Sequence, residues 1–407
     1  MDAGRHPNIT LLTHSEVEEV SGYIGNFSAR IRKRARSVRE DLCTGCGLCQ
    51  EKCPTKVLDT AFEAGMGKRK AIYRPFAQAI PNVPLIDQEH CLFFTKGRCK
   101  LCEKVCPTGA IDYEQEDQLL DVEVGAIIVA TGFAPWNPVQ LSQYSYGRSP
   151  NIITGLQFER LTSATGPTGG EILTAEGKKP EQVAIIHCVG SRDERAHAYC
   201  SRVCCMYSLK QAHQVRDKTG AAVYDFYMDM RAFGKAYEEF YARVQEEGTT
   251  FVRGRGTEVE VLPDGKLQVK AEDTLLGRLV AVDVDMVILA TAVEPHADAN
   301  RVASLFGLGH TPDGFFAEAH PKLRPVETST GGIFLAGACQ GPRDVPDTVT
   351  HAGAAAMELV SLFNQGEVTI SPTVAVVDAA RCVGCGECIL TCPYSAISRN
   401  TEEKAEI

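Results

Sequence analysis

The 407-residue sequence has no long hydrophobic run and no excess of basic residues. Its longest apolar stretch, around residues 124–130, is far shorter than the roughly 20 residues that span a bilayer. Lys and Arg number 42 against 52 Asp and Glu, a formal net charge of −10, which argues against binding nucleic acid through a basic surface. The first residues include no apolar segment of the kind found in signal peptides. We therefore expect a cytoplasmic protein with no transmembrane segment and no nucleic-acid partner.

Two phosphate-binding motifs are also absent from the sequence. It contains neither the Gly-x-Gly-x-x-Gly loop of dinucleotide-binding folds nor a Walker loop. At the apolar strand predicted around residues 183–190, where the first of these is expected, the sequence reads His187-Cys-Val-Gly-Ser-Arg192. A cysteine-containing segment then occupies the place where the phosphates of a nicotinamide coenzyme would bind, which argues against NAD(P)H binding. A complete dinucleotide site is not expected from this chain alone.

Cysteine is abundant, with 17 residues, of which 16 fall into four groups of four. In a long chain without secretory features, clustered cysteines bind metal more often than they form disulfides. Two groups have ferredoxin spacing and end in Cys-Pro; they are Cys43-x2-Cys46-x2-Cys49-x3-Cys53 and Cys91-x7-Cys99-x2-Cys102-x3-Cys106. In two-cluster ferredoxins the fourth cysteine of each run ligates the other [4Fe–4S] cluster.

This cross-ligation predicts one cluster on Cys43, Cys46, Cys49 and Cys106. It predicts the other cluster on Cys91, Cys99, Cys102 and Cys53. The alternatives are a zinc site or free core thiols. Zinc sites favour two separated Cys-x2-Cys pairs and have no need of the terminal Cys-Pro.

A third group repeats the ferredoxin run near the end of the sequence, at Cys382, Cys385, Cys388 and Cys392. We predict at least one cluster here, although no second run accompanies it. Its fourth ligand stays open: either Cys392 binds the same cluster, or the missing half of the ferredoxin lies on another polypeptide.

The fourth group, Cys188, Cys200, Cys204 and Cys205, has a spacing that no ferredoxin run shows. Cys188 ends an apolar segment that predicts a buried parallel strand, and residues 200–210 are predicted to start the following helix. All four thiols could then meet at the carboxyl end of the strand, where open α/β sheets bind ligands. From spacing alone, a redox disulfide and inert buried thiols are the alternatives.

Outside the cysteine runs the pattern is α/β. Short apolar strands are predicted around residues 124–132, 284–291 and 328–339, and a helix rich in small residues is predicted at 348–358. Small residues would let the helix N-terminus approach a phosphate or a flavin ring closely. Residues 1–36 alternate in polarity and predict two or three strands.

Several segments resemble the A-type subunit of heterodisulfide reductase and the related electron-transfer subunit found with adenylylsulfate reductase. The matching segments are residues 4–9, 43–54, 67–73, 110–115, 188–194, 199–207 and 319–326. The resemblance implies an α/β, thioredoxin-reductase-like two-domain FAD/NAD-type fold. It also implies an inserted α+β 2[4Fe–4S] ferredoxin domain and a partial C-terminal ferredoxin domain.

The resemblance divides the chain into six segments. They are incomplete FAD-domain strands at 1–36, the inserted ferredoxin at 37–117, an FAD-domain strand at 118–136, a degenerate NAD-type domain with the four-cysteine site at 137–295, the C-terminal part of the FAD domain at 296–370, and a partial ferredoxin at 371–407.

Site residues also follow from the resemblance. It implies that Cys188, Cys200, Cys204 and Cys205 hold an additional [4Fe–4S] cluster. The implied catalytic residue is Lys210, a cation near the flavin that would stabilise an anionic reduced ring; without the resemblance it is a solvated helix lysine. Val17 would contact adenine through its backbone. The other expected FAD contacts are Ala130, Thr131, Gly132, Gly337, Pro346, Asp347 and Thr348, and we interpret Cys339 as a small core residue.

The implied activity is that of an oxidoreductase acting on a sulfur group, with flavin-based electron bifurcation between a two-electron donor, ferredoxin and a disulfide-reducing subunit. Expected partners are heterodisulfide-reductase B/C-type subunits, ferredoxin and a hydrogenase, formate or NADH-oxidising module. Compared with the family pattern, the sequence lacks the FAD phosphate loop and the second C-terminal cysteine run. We therefore expect a split or truncated subunit whose FAD site is completed by another polypeptide.

Two other functions compete with this hypothesis. One is an iron–sulfur relay module without its own flavin, which the missing phosphate loop favours. The other is a pyridine-nucleotide–disulfide oxidoreductase, which the missing coenzyme loop argues against. The intact apolar strands next to the expected flavin favour the flavoprotein.

Overall fold

The computed structural model describes residues 2–368, 375–392, 394 and 396–407. The boundary predicted between segments 296–370 and 371–407 therefore lies outside the described residues. Within the part described, none of the helices combines the length and apolar character that crossing a bilayer requires.

The described strands and helices are numbered here in chain order. The strands are β1 (Ser15–Tyr23), β2 (Asn26–Lys33), β3 (Lys56–Asp59), β4 (Gly67–Lys70), β5 (Ile72–Tyr73), β6 (Leu85–Ile86), β7 (Gln118–Val124), β8 (Ile127–Val129), β9 (Ala134–Pro135), β10 (Ile152–Thr154), β11 (Gln182–Val189), β12 (Ala222–Tyr227), β13 (Thr250–Arg253), β14 (Gly256–Val261), β15 (Leu267–Asp273), β16 (Arg278–Val284), β17 (Met286–Thr291), β18 (Val293–Glu294), β19 (Ile333–Leu335), β20 (Ser398–Arg399) and β21 (Ala405–Glu406). The α-helices are α1 (Leu48–Lys52), α2 (Leu92–Lys96), α3 (Leu101–Val105), α4 (Gly155–Thr162), α5 (Cys204–Thr219), α6 (Tyr237–Glu246), α7 (Ala299–Phe306), α8 (Val345–Gln365) and α9 (Glu387–Thr391). Short 3₁₀ turns cover Ala3–Arg5, Pro138–Gln140, Ser142–Tyr144 and Gly337–Cys339.

A five-stranded parallel sheet forms the largest core, in the order β10-β17-β11-β12-β13. Strand β11 is apolar along nearly its whole length because both of its faces are covered. On one face, α4 and α5 pack through residues such as Phe158 and Leu209. On the other, the antiparallel meander β14-β15-β16 packs through residues such as Val259 and Val269.

A second, smaller body joins distant parts of the chain. Strands β1, β2 and β7 form an antiparallel sheet, and β8 pairs in parallel with β19. The ferredoxin-like segment enters after β2 and leaves before β7, so the sheet holds both ends of the insertion together. Helix α8 begins just after β19, with Asp344 as its N-cap. Residues 1–36 thus form two strands, within the range predicted.

The ferredoxin-like insertion consists of short helices and two-stranded ladders. Hairpin β3-β4 and ladder β5-β6 flank α1, α2 and α3, and its small core includes Val38, Ile72 and Ile86. Near the chain end, α9 and the β20-β21 ladder form a separate small unit. Such small cores leave ligand binding to supply much of the local stability.

Three predicted boundaries were wrong. Helix α5 begins at Cys204 rather than Cys200, because the preceding loop turns through Arg202 at a positive φ of 61°. The strand expected over 124–132 is split, since β7 ends in the antiparallel sheet and β8 starts the parallel pair. The helix expected at 348–358 spans Val345–Gln365, because Asp344 caps it early and no breaker interrupts it before Gly366.

Burial in the parallel sheet predicts which side chains stabilise the folded protein. Ile288 on the central strand β17 is fully buried, whereas Leu275 is 68% exposed. We expect Ile288→Ala to cost about 2–5 kcal/mol of unfolding free energy, because the cavity left behind cannot collapse. Urea unfolding under anaerobic conditions would measure it, with Leu275→Ala as the matched control, expected within about 0.5 kcal/mol of the parent. Equal midpoints for both variants would contradict this placement of the core.

Candidate metal centres and cofactor site

One cavity in the insertion is lined by Cys43, Cys46, Cys49 and Cys106. The fourth of these thiols comes from the second cysteine run, at the end of α3. Gly45 makes this convergence possible: its φ is +71°, and a Cβ there would lie 2.7 Å from the Asn82 carbonyl oxygen. Backbone N–H groups point at the sulfurs, with Gly45 N 3.4 Å from Cys43 Sγ and Ala110 N 3.2 Å from Cys106 Sγ.

A second cavity is lined by Cys53, Cys91, Cys99 and Cys102. Cys53 comes from the first run, so the fourth cysteines of the two runs have exchanged places. Tyr113 lies against this site, with its hydroxyl 3.0 Å from Cys102 Sγ. The structure thus brings together the two sets of four that cross-ligation predicts.

Burial sets the protonation of the thiols in these cavities. It raises the pKa of Cys49 to about 11 and also raises the pKa of Cys102. Burial acts the same way on Cys106, but N–H and hydroxyl contacts outweigh it and lower that pKa. Thiolates bind metal, so a metal must itself supply the stabilisation that deprotonates the buried thiols.

The fourth cysteine group lies at the carboxyl end of β11. Cys188, Cys204 and Cys205 are each at most 4% exposed. The thiol of Cys204 contacts those of Cys188 and Cys205. Cys200 stands in the loop before α5, half-buried, and its sulfur accepts the Arg202 N–H at 3.4 Å. Arg192 lies close enough to Cys188 and Cys200 that both raise its pKa, after the larger effect of Asp229.

A buried histidine–aspartate pair, which the sequence did not indicate, stands behind these thiols. His187 Nε2 lies 2.9 Å from Asp225 Oδ1, and both side chains are at most 1% exposed. The ring also contacts the Cys205 thiol, and, against the opposing effect of burial, the Asp225 carboxylate helps to raise the pKa of His187 well above its usual value. Contact with Cys204 and then with His187 lowers the pKa of Cys205, and contact with Cys204 lowers that of Cys188. Two of the thiols are thus predisposed to ionise.

The C-terminal run repeats the backbone geometry of the first one. Gly384 and Gly386 have φ values of +71° and +82°, matching +71° and +83° at Gly45 and Gly47. Cys382 Sγ accepts the Ala405 N–H at 3.4 Å, and Cys392 follows α9. Cys385 and Cys388 are exposed, in contrast to most thiols of the insertion.

Most of the expected FAD contacts meet at one edge of the small parallel pair. Ala130, Thr131 and Gly132 follow β8, and Gly337 follows the neighbouring β19. The N-terminus of α8 lies across them, since a Cβ on Gly337 would be 3.1 Å from Thr348 Cγ2. Pro346 and Asp347 occupy the first turn of that helix.

The other predicted residues are Val17, Lys210 and Cys339. Val17 lies on β1, and Arg301 approaches its carbonyl oxygen at 3.5 Å. Lys210 lies on α5, where its Nζ is 2.7 Å from Glu159 Oε2, with its side chain 47% exposed. The hydrogen bond it makes among the described residues is to α4, not to the edge of β8 and β19. Cys339 is buried in a core cluster, and its thiol contacts the Val129 carbonyl at 3.3 Å.

One ion pair connects the four-cysteine loop to this edge. Arg202, between Cys200 and Cys204, lies 2.9 Å from Asp347 Oδ2 and also donates to the Pro342 carbonyl. Tyr237 supports the same helix end by donating to Asp344 Oδ2 at 2.9 Å. Sequence spacing gave no signal for these contacts, because they join residues more than a hundred positions apart.

The residues present fit the groups that the resemblance implies. Each cavity in the insertion is lined by four thiols, and at the four-cysteine site the Cys204 thiol contacts those of Cys188 and Cys205. Beside the edge of β8 and β19, Arg343 Nε is buried without a partner in the described residues, as expected if an anionic group is held there.

These features define an iron–sulfur protein of α/β class with a ferredoxin-type insertion. A profile of the 4Fe-4S dicluster domain family matches residues 42–110, and one of the 4Fe-4S binding domain family matches 374–397. The chain is 48% identical over 402 residues to the A-type subunit of the H(2):CoB-CoM heterodisulfide,ferredoxin reductase of Methanothermobacter thermautotrophicus. It is 46% identical over 403 residues to the A-type iron-sulfur subunit of the CoB--CoM heterodisulfide reductase of Methanocaldococcus jannaschii. Over nearly its whole length the chain is therefore similar to heterodisulfide reductase A-type subunits.

Both alignments cover 98% of this chain and 60% of the relative, so the chain spans well under two thirds of the length of these relatives. Among solved structures, the thioredoxin reductase of T. acidophilum is 13% identical and covers 62% of this chain and 70% of its own, with a TM-score of 0.39. The predicted α/β class and both ferredoxin-type segments are confirmed by the sheet topology and the family profiles.

The exchange of fourth ligands can be tested with paired cysteine substitutions. Cys43 and Cys106 line one cavity, whereas Cys43 and Cys53 line different ones. We expect Cys43→Ser/Cys106→Ser to lose one cluster, or about four iron atoms per chain, and Cys43→Ser/Cys53→Ser to lose two, or about eight. Iron analysis and EPR spectroscopy of the reduced protein would count them.

Cys339→Ser is the control for these variants, because Cys339 lies outside every run and should leave the iron content unchanged. If the pair within one run, Cys43 and Cys53, removed a single cluster, the fourth ligands would not be exchanged and the cavity assignment would fail.

Proposed function

We propose that this chain is the iron–sulfur flavoprotein electron-transfer subunit of a heterodisulfide-reductase-like complex. The names of its relatives support this, since they are reductase subunits described with H(2), CoB-CoM heterodisulfide and ferredoxin. We further propose flavin-based electron bifurcation between a two-electron donor, ferredoxin and a disulfide-reducing subunit. When bound, FAD would accept electrons in a pair and release them one at a time, and the [4Fe–4S] clusters would carry them singly along two routes.

The observation that carries this proposal is the link between the four-cysteine site and the edge of β8 and β19. Arg202 belongs to the loop of the thiols, and Asp347 belongs to the helix end that meets Gly337. The ion pair therefore fixes one site against the other. A protein in which the two sites acted independently would have no need of that contact.

The residues around the four-cysteine site also control its surroundings. Cys188, Cys204 and Cys205 are buried against Ala290 and Tyr207, which excludes water from most of the site. In a dry environment the charge on a bound group is weakly screened, so Arg192 and His187 would act on it strongly. We propose Cys188, Cys200, Cys204 and Cys205 as one ligand set and the two cavities of the insertion as two others. Cys382, Cys385, Cys388 and Cys392 would hold at least one more cluster.

We propose that the flavin contacts are completed by a segment outside these 407 residues. Helix α8 leaves Val349, Met357, Val360 and Phe363 between 46% and 66% exposed. Beside it, β8 and β19 form a sheet of only two strands, and such a pair is marginal without further packing. The added segment would cover this apolar face and supply the phosphate loop. Lys210 would approach the flavin only after releasing Glu159.

The proposed partners follow from the same relatives. They are heterodisulfide-reductase B/C-type subunits, ferredoxin, and a hydrogenase, formate or NADH-oxidising module. An iron–sulfur relay without its own flavin is the second candidate function, and the absence of a Gly-x-Gly-x-x-Gly loop from this sequence favours it.

The test compares Cys204→Ser with the parent chain in the complex purified anaerobically from its source. We expect Cys204→Ser to keep its FAD but to slow cluster bleaching after flavin reduction by about tenfold or more, because a buried ligand at the linked site is lost. Stopped-flow absorbance and flavin content are the measurements. Cys339→Ser, a buried cysteine beside the flavin edge, should behave as the parent.

Unchanged bleaching in Cys204→Ser would place the four-cysteine site off the electron route and contradict the proposal. A parent complex that contains clusters but no FAD would instead support the relay module.

A further inference from the structure

A cavity of about 440 Å³ lies beside the cluster sites of the insertion, and no proposed function uses it. Hairpin β3-β4 contributes Lys56, Lys68, Arg69 and Lys70, and Arg74 follows from the next segment. Thr165 of the neighbouring α/β domain closes one side. The cavity thus lies at the junction between the insertion and the main body.

The charge around this cavity is positive although the whole chain is acidic. Five cationic and two acidic residues line it, a formal sum of +3, whereas the chain carries −10. The acidic Glu63 is already held by Arg160 at 3.0 Å, and Arg69 is held by Asp87 at 2.8 Å.

Four cations remain, and none of them forms an ion pair within the described part of the chain. Lys70 Nζ donates to the Cys53 carbonyl at 2.5 Å, and Arg74 donates to the amide oxygens of Gln50 and Asn82. The side chains of Lys56 and Lys68 make no hydrogen bond or ion pair to any described residue. The second acidic residue of the lining, Asp59, accepts the Phe62 N–H at 3.0 Å and is outnumbered by these four positive charges.

The hairpin register makes this arrangement unfavourable without a ligand. Lys56 stands directly opposite Lys70, and Lys68 stands opposite Leu58 on the same face of the ladder. Like charges directly opposite each other destabilise a β-ladder. Three lysines lie close together on this hairpin of two four-residue strands. A bound multivalent anion is therefore expected to stabilise the hairpin.

Aromatic side chains supply the rest of the lining. Phe62 and Phe76 stack with their ring centroids 5.3 Å apart, and Arg69 lies 3.8 Å from the Tyr73 ring centroid. Phe76 is 39% exposed. A concave site with an apolar wall and converging cations suits a small ligand better than the flat surface of a partner protein.

We propose that this cavity binds a small polyanion of the polyphosphate class, either free pyrophosphate or the polyphosphate group of a nucleotide. Lys56, Lys68, Lys70 and Arg74 would neutralise its charge, since multiple phosphate oxygens match several separate donors. The aromatic wall would contact a base only when the ligand is a nucleotide.

The bound anion would be sensed by the cluster sites. Gln50 and Arg74 line both this cavity and the one that holds Cys43, Cys46, Cys49 and Cys106. Lys70 connects the cavity to Cys53 of the second set through that residue's carbonyl. A polyanion there would add negative charge near both sets and lower their reduction potentials.

The experiment is isothermal titration calorimetry of pyrophosphate and of ADP into the anaerobically purified chain with its clusters in place. Lys56→Ala/Lys68→Ala removes two side chains that contact no other described group through a hydrogen bond or ion pair, so the fold should survive. We expect this double variant to bind pyrophosphate at least tenfold more weakly, and binding by the parent to weaken as salt is raised. Lys178→Ala/Lys179→Ala is the matched control, because it removes two exposed lysines from another cavity.

Equal affinity for both probes would support recognition of the polyphosphate alone, and tighter binding of ADP would support a contribution from the aromatic wall. Three results would overturn the proposal: no heat with either probe, unchanged affinity in Lys56→Ala/Lys68→Ala, or binding of an acidic protein that neither probe competes away.

Discussion

Convergence of thiols from separate chain segments is the constraint on which the ferredoxin-like insertion depends. Neither of its cysteine runs surrounds a cavity alone; Cys106 must return to the first run and Cys53 must reach the second. The packing of α1 against α3 provides this exchange, and Gly45 allows the backbone to pass close to Asn82. Because burial opposes ionisation of Cys49 and Cys102, a bound metal must displace their protons against that cost.

In the four-cysteine site, a parallel sheet and the helix that follows bring the thiols together. The carboxyl end of β11 presents Cys188 at the place where an α/β fold normally accepts a ligand, and the first turn of α5 adds Cys204 and Cys205. Behind the thiols lies the buried His187–Asp225 ion pair, and His187 also contacts Cys205. A charge pair in such a dry environment acts strongly on the neighbouring thiols, and, after the larger effect of Cys204, His187 lowers the pKa of Cys205.

The sequence predicted the parts of this protein that depend on local spacing. Cysteine runs, apolar strands and the convergence at the end of β11 follow from periodicity and chain chemistry, and they are present. The Arg202–Asp347 pair and the cavity around Lys56 and Lys68 could not be predicted. In sequence these are ordinary surface charges, and only the tertiary packing decides whether a counter-charge stands beside them. The start of α5 was misplaced for a similar reason, since a positive φ at Arg202 is not evident from its residue type.

Charged side chains lie between the edge of β8 and β19 and the four-cysteine site. Arg343 is held between burial and the nearby Arg202, both of which lower its pKa, while Asp347 acts in the opposite direction. Asp347 is also paired with Arg202, and Glu318 is a second carboxylate that raises the pKa of Arg343. The Arg202–Asp347 pair therefore joins the loop that carries Cys200 and Cys204 to the helix end beside Gly337, and Arg343 lies next to this pair with its Nε unpartnered among the described residues.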